Sequence, residues 1–354
     1  MLGHFKYSIA FSVACMGVAF WWGTKTALGG PAALSLVAML AVMEVSLSFD
    51  NAVVNAGILR NMDAKWQQLF LTVGILIAVF GMRLVFPILV VAIATMETAT
   101  DGFLANMVDV SILALNDPDE YARHLREAHT GIAGFGGMFL LMVFFTFLFD
   151  VKRDRHWLGG IEKWFAGLGR IRSLKAAAAI AVLLTAQGLM PLSDENRLTV
   201  LVSGASGIAL FVVIHALGNL FDSKEDGDEL MKAASRNGIM GFIYLEILDA
   251  SFSFDGVIGA FAITRDVVII MLGLAIGAIF VRSLTVFLLR KGMLDEFVFL
   301  EHGAHYAIGA LGLIMLYSIT AHVPELVTGL VGVALIALSV ISSISDRKRS
   351  AGSS

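Results

Sequence analysis

Residues 44–50 read Glu44-Val45-Ser46-Leu47-Ser48-Phe49-Asp50, and residues 249–255 read Asp249-Ala250-Ser251-Phe252-Ser253-Phe254-Asp255. The two stretches align without a gap: an acid, two serines, a phenylalanine and a second acid recur in the same order. The match resumes downstream, where Gly74 stands nine residues before Arg83 and Gly273 nine before Arg282, after a six-residue difference in loop length. A third stretch, 129–140 against 305–316, pairs His129 with His305, Ile132 with Ile308 and Gly136 with Gly312. Each matching unit therefore holds three apolar runs, repeat A over 32–150 and repeat B over 238–321, with connecting helices at 174–221.

The surroundings of these motifs are apolar. The 354 residues are 58% hydrophobic and 15% charged, with a mean hydropathy of +0.82. A water-soluble domain carries about a quarter charged residues, so lipid is the expected solvent and membrane lipid the first partner. Ten apolar runs approach the roughly 20 residues that cross a bilayer. They cover 6–22, 32–58, 68–95, 131–149, 174–192, 198–221, 238–263, 267–289, 304–320 and 326–344. The expected fold is an all-α polytopic membrane helix bundle, a single transmembrane domain over 1–354. Gly29-Gly30-Pro31 punctuates the start of the second run, and Pro87 is expected to kink the third. Met1 to Lys6 and the apolar stretch behind it resemble a signal peptide. No small-x-small site follows, and Trp21-Trp22 is an interfacial pair suited to a retained helix.

The basic residues supply an independent test of the spans. With the N-terminus in the cytoplasm, that side holds Lys6, Arg60, Lys65, the cluster Lys152, Arg153, Arg155, Lys163, Arg170, Arg172 and Lys175, then Lys224, Lys232, Arg236, Arg290, Lys291 and Arg347-Lys348-Arg349. The other side holds only Lys25, Arg123, Arg126, Arg197 and Arg265; Arg83 and Arg282 lie inside spans. This asymmetry follows the positive-inside rule and places both termini in the cytoplasm, in a bacterial inner membrane. Dropping one span would scramble it. Spans 2 and 7, which carry the motifs, then run in opposite directions, the inverted-repeat architecture of many secondary transporters. On the opposite side the segment 97–130 carries Glu97, Asp101, Asp109, Asp117, Asp119, Glu120 and Glu127. It reads as a solvated acidic loop, or as a collector of cations.

Acids inside spans are costly. Each Asp near a helix centre costs about 2.5–3.5 kcal/mol on the insertion scale, so Glu44, Asp50, Asp249 and Asp255 together cost on the order of 10 kcal/mol before pairing. Arg83 and Arg282 can balance two of the four charges and act in gating, but cannot neutralise all. In a regular helix Glu44, Ser48 and Asn51 share one face while Ser46 and Asp50 share another about 120° away. For both acids to meet one ion, the helix must bend or unwind near Ser48-Phe49-Asp50. The expected ligand set is Glu44, Ser48, Asp50, Asn51, Asp249, Ser253 and Asp255, all hard oxygens, which suit Mn²⁺, Mg²⁺ or Ca²⁺ rather than Zn²⁺ or Cu⁺.

These motifs, Glu44 through Asp50-Asn51-Ala52 and Phe254-Asp255-Gly256, resemble the acidic motifs of TerC-like integral membrane proteins, within the LysE-type exporter superfamily. The resemblance covers about 32–345. It implies a metal-ion exporter, Mn²⁺ ahead of the other two cations, with Glu44, Asp50, Asn51, Asp249 and Asp255 as ligands. Gly256 stands where many members have a serine, which leaves the coordination number and the metal open.

Other polar residues are weaker candidates. Glu301 and His305 lie one turn apart at the start of the ninth span, and E-H-x-x-H matches neither order of the zinc peptidases; a gate or secondary metal contact is the functional reading. His215 and Asn219 in the sixth span are pathway candidates, or helix–helix hydrogen-bonding residues. Asp150 ends the fourth span as an interfacial acid. The glycines 131, 134, 136 and 137 let helices approach closely. Cys15 is the single cysteine, so no intrachain disulfide forms. Net charge of −4 gives no argument for nucleic acid, no prosthetic cofactor motif is present, and no nucleophile–base set points to an enzyme. The leading expectation is export of a divalent cation. The alternatives are a small organic solute exporter, and a non-transporting membrane stress-complex subunit that docks partners, as yet undefined, through its basic loop.

Overall fold

Lengths of apolar sequence set the architecture. The computed structural model describes residues 2–60, 62–96, 102–171, 173–222 and 238–352; the side chains at 2–4, 94, 217–222, 254–255, 325–326 and 350–352 are outside it. Among the described residues all regular structure is helical, without strands. Seven helices among the described residues are long and apolar enough to cross a membrane: Phe5–Gly23, Gly30–Leu47, Ala64–Ile93, Pro118–Leu148, Asp194–Ala216, Val267–Arg290 and Val327–Arg349. Large apolar side chains such as Val13, at 68% exposure, and Leu184, at 57%, face outward. Exposed large apolar side chains on helices of this length are suited to lipid.

The chain begins with α1 (Leu2–Gly23) and α2 (Gly30–Leu47). Gly29 turns between them at φ 80°, a conformation that favours glycine, and Pro31 opens α2. At Ser48, with φ −105° and ψ 14°, α2 breaks and α3 (Phe49–Arg60) begins. A second rod joins α4 (Ala64–Leu76), a π-helical segment (Ile77–Val85) and α5 (Phe86–Ala94). The kink expected at Pro87 appears as this widened segment. A proline ring crowds the carbonyl four residues earlier, and the shift to longer hydrogen bonds, with Phe86 N–H reaching Gly81 O, relieves that crowding.

The acidic segment is not simply a solvated loop. Its residues Phe103–Asn116 form α6, anchored by Asn106, whose amide donates to Ala92 O at 2.7 Å. Asp117 then caps α7 (Pro118–Leu148), accepting from Glu120 N–H at 3.1 Å. The span expected at 131–149 thus begins a dozen or so residues earlier. Glu120 and Glu127 are tied to Arg123, and Asp119 to Arg265, so these three acids do not form a free collector. Glu97 and Asp101 lie outside the described residues.

After α7 come α8 (Gly160–Leu168), α9 (Leu174–Leu189) and α10 (Asp194–Asp222). Arg172, Lys224, Lys232 and Arg236 lie outside the described residues. The chain resumes with α11 (Ile239–Ile263), α12 (Val267–Arg290), α13 (Met293–Glu296), α14 (Leu300–Ser318) and α15 (Glu325–Gly352). The expected spans at 174–192, 238–263 and 304–320 correspond to helices of 16, 25 and 19 residues that fall outside the set of seven. The first is short; α11 carries Glu246, Asp249 and Asp255, and α14 opens on Glu301, His302 and His305.

Two large apolar clusters, with two small ones, form the core among the described residues. One gathers α3, α7, α10, α14 and the first half of α11; the other gathers α1, α2, α6 and the second half of α11. The acidic motifs sit at the junction between them. Helices α7 and α14 touch backbone to backbone there: a Cβ at Gly137 would lie 3.0 Å from Gly312 O, and one at Gly312 3.0 Å from Gly137 O. The close approach expected from the glycines of this span is made on two sides: Gly137 and Gly136 face α14, at Gly312 and Met315, while a Cβ at Gly134 would lie 2.4 Å from Ser203 Oγ on the helix over 194–222.

Candidate functional site

Helix α2 buries a single stripe, Ala33, Val37, Leu40, Ala41 and Glu44, at helical spacing. This stripe meets α12 across two glycines. A Cβ at Gly273 would lie 2.5 Å from Leu40 Cβ, and one at Gly277 2.4 Å from Glu44 Cβ. Glu44 is thereby carried inside, at 1% exposure. Arg83, held in the π-helical segment, donates to Glu44 Oε1 and to Ala78 O. Ser48 Oγ donates to the same Oε1 at 3.1 Å.

The second motif repeats the pairing with one acid more. Arg282 Nη2 lies 3.4 Å from Asp249 Oδ2 and 3.6 Å from Glu246 Oε1. It also reaches Gly74 O at 3.4 Å, and its guanidinium rests 3.7 Å from the centre of the Phe70 ring. Each motif's first acid therefore takes the arginine from its own half of the sequence match. Glu246 went unnoticed in the sequence, although an acid one turn before Asp249 in an apolar run was a readable signal.

The two motif segments lie against each other in opposite directions. Asn51 Nδ2 donates to Asp249 Oδ1 at 2.6 Å, while a Cβ at Gly256 would lie 2.8 Å from Glu44 Oε2. Pairing 51 with 249 and 44 with 256 is an antiparallel register. Gly256 leaves room there for the end of the Glu44 side chain.

Asp50 faces elsewhere. It is 5% exposed, and its Oδ1 accepts the Asn51 N–H at 2.9 Å. No cationic side chain pairs with it among the described residues. Its carboxylate looks at α15, where a Cβ at Gly332 would lie 3.6 Å from Oδ2, across a chamber of about 20 Å³ walled by Leu47, Phe252, Ala307, Leu311 and Gly329. The break at Ser48 is where the motif chemistry asks for one, but it does not bring Glu44 and Asp50 into one niche. Ser48 N–H still bonds Glu44 O and Ala52 N–H still bonds Ser48 O, so the distortion is confined to one residue and the two acids keep their separate faces. Helix α11 runs through its own motif unbroken. The Asp255 side chain lies outside the described residues.

Several buried polar atoms have no hydrogen-bond partner among the described residues: Asn51 Oδ1, both amide atoms of Asn55, Ser253 Oγ and both Glu246 oxygens. Asn55 is fully buried one turn beyond Asn51, extending the face that Glu44, Ser48 and Asn51 define. Orphaned groups of this kind are rare in folded proteins and mark sites for ions or water. Among the described residues no three His, Cys, Asp or Glu side chains converge as a ready-made metal cluster. Any ion held here would draw on amide and hydroxyl oxygens as well as carboxylates.

The other candidates lie apart from this constellation. His215 is exposed and stacks on Phe211 at 4.1 Å, and the Asn219 side chain lies outside the described residues. Glu301 is exposed; His305 donates to Glu301 O at 2.8 Å and stacks on Phe147 at 4.1 Å. Beside them, fully buried Glu162 accepts from Tyr306 Oη at 3.2 Å and lies 3.4 Å from Arg153, fastening the basic loop to α14.

Residues 49–350 match the family described as Protein of unknown function (DUF475), and the chain belongs to that family. None of the curated proteins and none of the solved structures compared with it matches.

Proposed function

We propose that this member of the DUF475 family moves a divalent metal cation across the membrane, Mn²⁺ ahead of Ca²⁺ or Mg²⁺, with Asp50 as its central ligand. One observation carries the reading: Asp50 is buried without a counter-ion, whereas Glu44 and Asp249 each have a guanidinium. An unpaired buried carboxylate costs several kcal/mol, and hydrophobic substitution would remove that cost. A cation in the chamber offsets it, and the orphaned oxygens of Asn51, Asn55 and Ser253, on the neighbouring faces of α3 and α11, supply further hard-oxygen surroundings for its passage. These oxygens match Mn²⁺, Mg²⁺ and Ca²⁺.

The transporter reading takes support from the pseudo-symmetry of the contacts. Glu44–Arg83 and Asp249–Arg282 are the same pair in two copies, the motif segments meet antiparallel, and α7 and α14 cross at Gly137 and Gly312 near the matched positions. This is the pattern that two inverted three-helix repeats in a ten-span bundle would produce, with the binding site where they meet. The resemblance to TerC-like proteins points the same way. The excess of Lys and Arg on one side supports a topology with both termini in the cytoplasm, and export as the direction is what the resemblance implies.

A metal titration of the purified protein, followed by thermal unfolding, tests the reading. Mn²⁺ should raise the midpoint more than Mg²⁺ or Zn²⁺, and Asp50→Asn should abolish the increase. In cells the same substitution should raise Mn²⁺ content and sensitivity. Equal cation responses in wild type and Asp50→Asn, at equal expression, would falsify it. A second reading rests on a cavity of about 410 Å³ lined by apolar residues including Phe135, Leu210 and Phe242, with Glu246 at its wall. It favours an organic cation with an apolar body, whose efflux would depend on Glu246 and not on Asp50.

A further inference from the structure

The chamber around Asp50 is about the size of one water molecule, too small to exchange an ion without movement. A second cavity, of about 350 Å³, lies where α7 begins and α14 ends and is lined by Arg126, His129, Ser318, Thr320 and His322. Two residues, Leu47 and Thr328, belong to the walls of both cavities. Leu47 immediately precedes the break at Ser48, on the half-buried edge of α2. It rests on α15 at Gly329, where a Cβ would lie 3.3 Å from Leu47 Cδ2. One turn on, Gly332 faces Asp50. Helix α15 thus presents bare backbone both to Leu47 and to the carboxylate, and it stands outside the matched units of the sequence.

We propose that Leu47 and Thr328 form the gate through which Asp50 exchanges its cation with this vestibule. The inference rests on the reading of Asp50 as a cation ligand and adds the route and its polarity. The break at Ser48 gives Leu47 a hinge, and the glycines of α15 let its side chain slide without collision. The described residues lining the vestibule include Arg126, His129 and His322 but no carboxylate. A cation passing the gate meets no acid among these described residues to retain it, so the vestibule does not hold the ion. The vestibule is a release mouth, on the end of the molecule opposite the basic loop.

The chain's single cysteine, Cys15, is buried, so Cys15→Ala gives a thiol-free background. Leu47→Cys and Thr328→Cys in that background, reconstituted in vesicles, are treated with a membrane-impermeant thiosulfonate with and without Mn²⁺. Both should react from the vestibule side, Mn²⁺ should slow the Leu47→Cys reaction severalfold, and Asp50→Asn should remove that protection. Should Leu47→Cys fold poorly, Thr328→Cys, at a half-buried position, carries the same comparison. If neither thiol reacts while Mn²⁺ still stabilises the protein through Asp50, the gate is wrong and the cation site stands. If both react but Mn²⁺ neither protects nor stabilises, the cation reading fails and takes the gate with it.

Discussion

At Arg282 one guanidinium serves two carboxylates, at 3.4 Å and 3.6 Å, whereas Arg83 serves Glu44 alone. The matched position of Glu246 in the first unit is Ala41, so the two halves differ by one buried acid. Removing one partner of a buried pair leaves the other uncompensated, at a cost of about 3–5 kcal/mol. Arg83→Ala should destabilise by that order, and Arg282→Ala by more, because it strands two acids. Glu246→Gln should recover part of the loss in the Arg282→Ala background and none in the Arg83→Ala background. Unfolding midpoints of the four variants in detergent check this; equal recovery in both backgrounds would show that Glu246 does not share the Arg282 charge.

Elements are positioned by glycines that match no acidic motif. Gly277 lets α2 and α12 approach until Glu44 Cβ lies 2.4 Å from where its own Cβ would be. Gly17, inside α1, has nothing within 4 Å of the same point. Gly277→Ala should therefore cost about 1–3 kcal/mol through overpacking, and displace Glu44 from Arg83. Gly17→Ala should be neutral or stabilising by up to about 1 kcal/mol. Thermal unfolding of the two variants side by side decides it, and the prediction is lost if Gly277→Ala melts with wild type. The π-helical segment belongs to the same scale. Pro87 was readable as a disturbance, but not that the ladder would widen over Ile77–Val85 in a segment that carries Arg83 to Glu44 on another helix.

Across the whole molecule, α7 is a ruler. Its 31 residues span about 46 Å at 1.5 Å per residue, more than the apolar core of a bilayer. Arg123 is exposed near its start, and Lys163 is exposed on α8 after its end. In the Cys15→Ala background, Arg123→Cys should react with an impermeant reagent added outside intact cells, and Lys163→Cys only after permeabilisation. The reverse pattern would overturn the orientation and, with it, the direction of release.

Much of this was legible in the sequence, for a physical reason. Partition into lipid depends on local composition and on the length of apolar runs, so the helical membrane class can be read without any partner. The self-match also put one arginine and two motif acids in each unit, but which acid each arginine answers came only with the structure. The separation of Asp50 from Glu44 was legible as two helix faces, but not that a one-residue break would leave them separate. Asn55 and Glu246 were passed over because each is only a polar residue in an apolar helix until its neighbours are in place. Only the tertiary structure decided that Asp50, among the described motif acids, stays without a counter-ion. That depends on Gly332 and Arg282, brought from distant parts of the chain, and a buried charge is governed by what lies within a few ångströms of it.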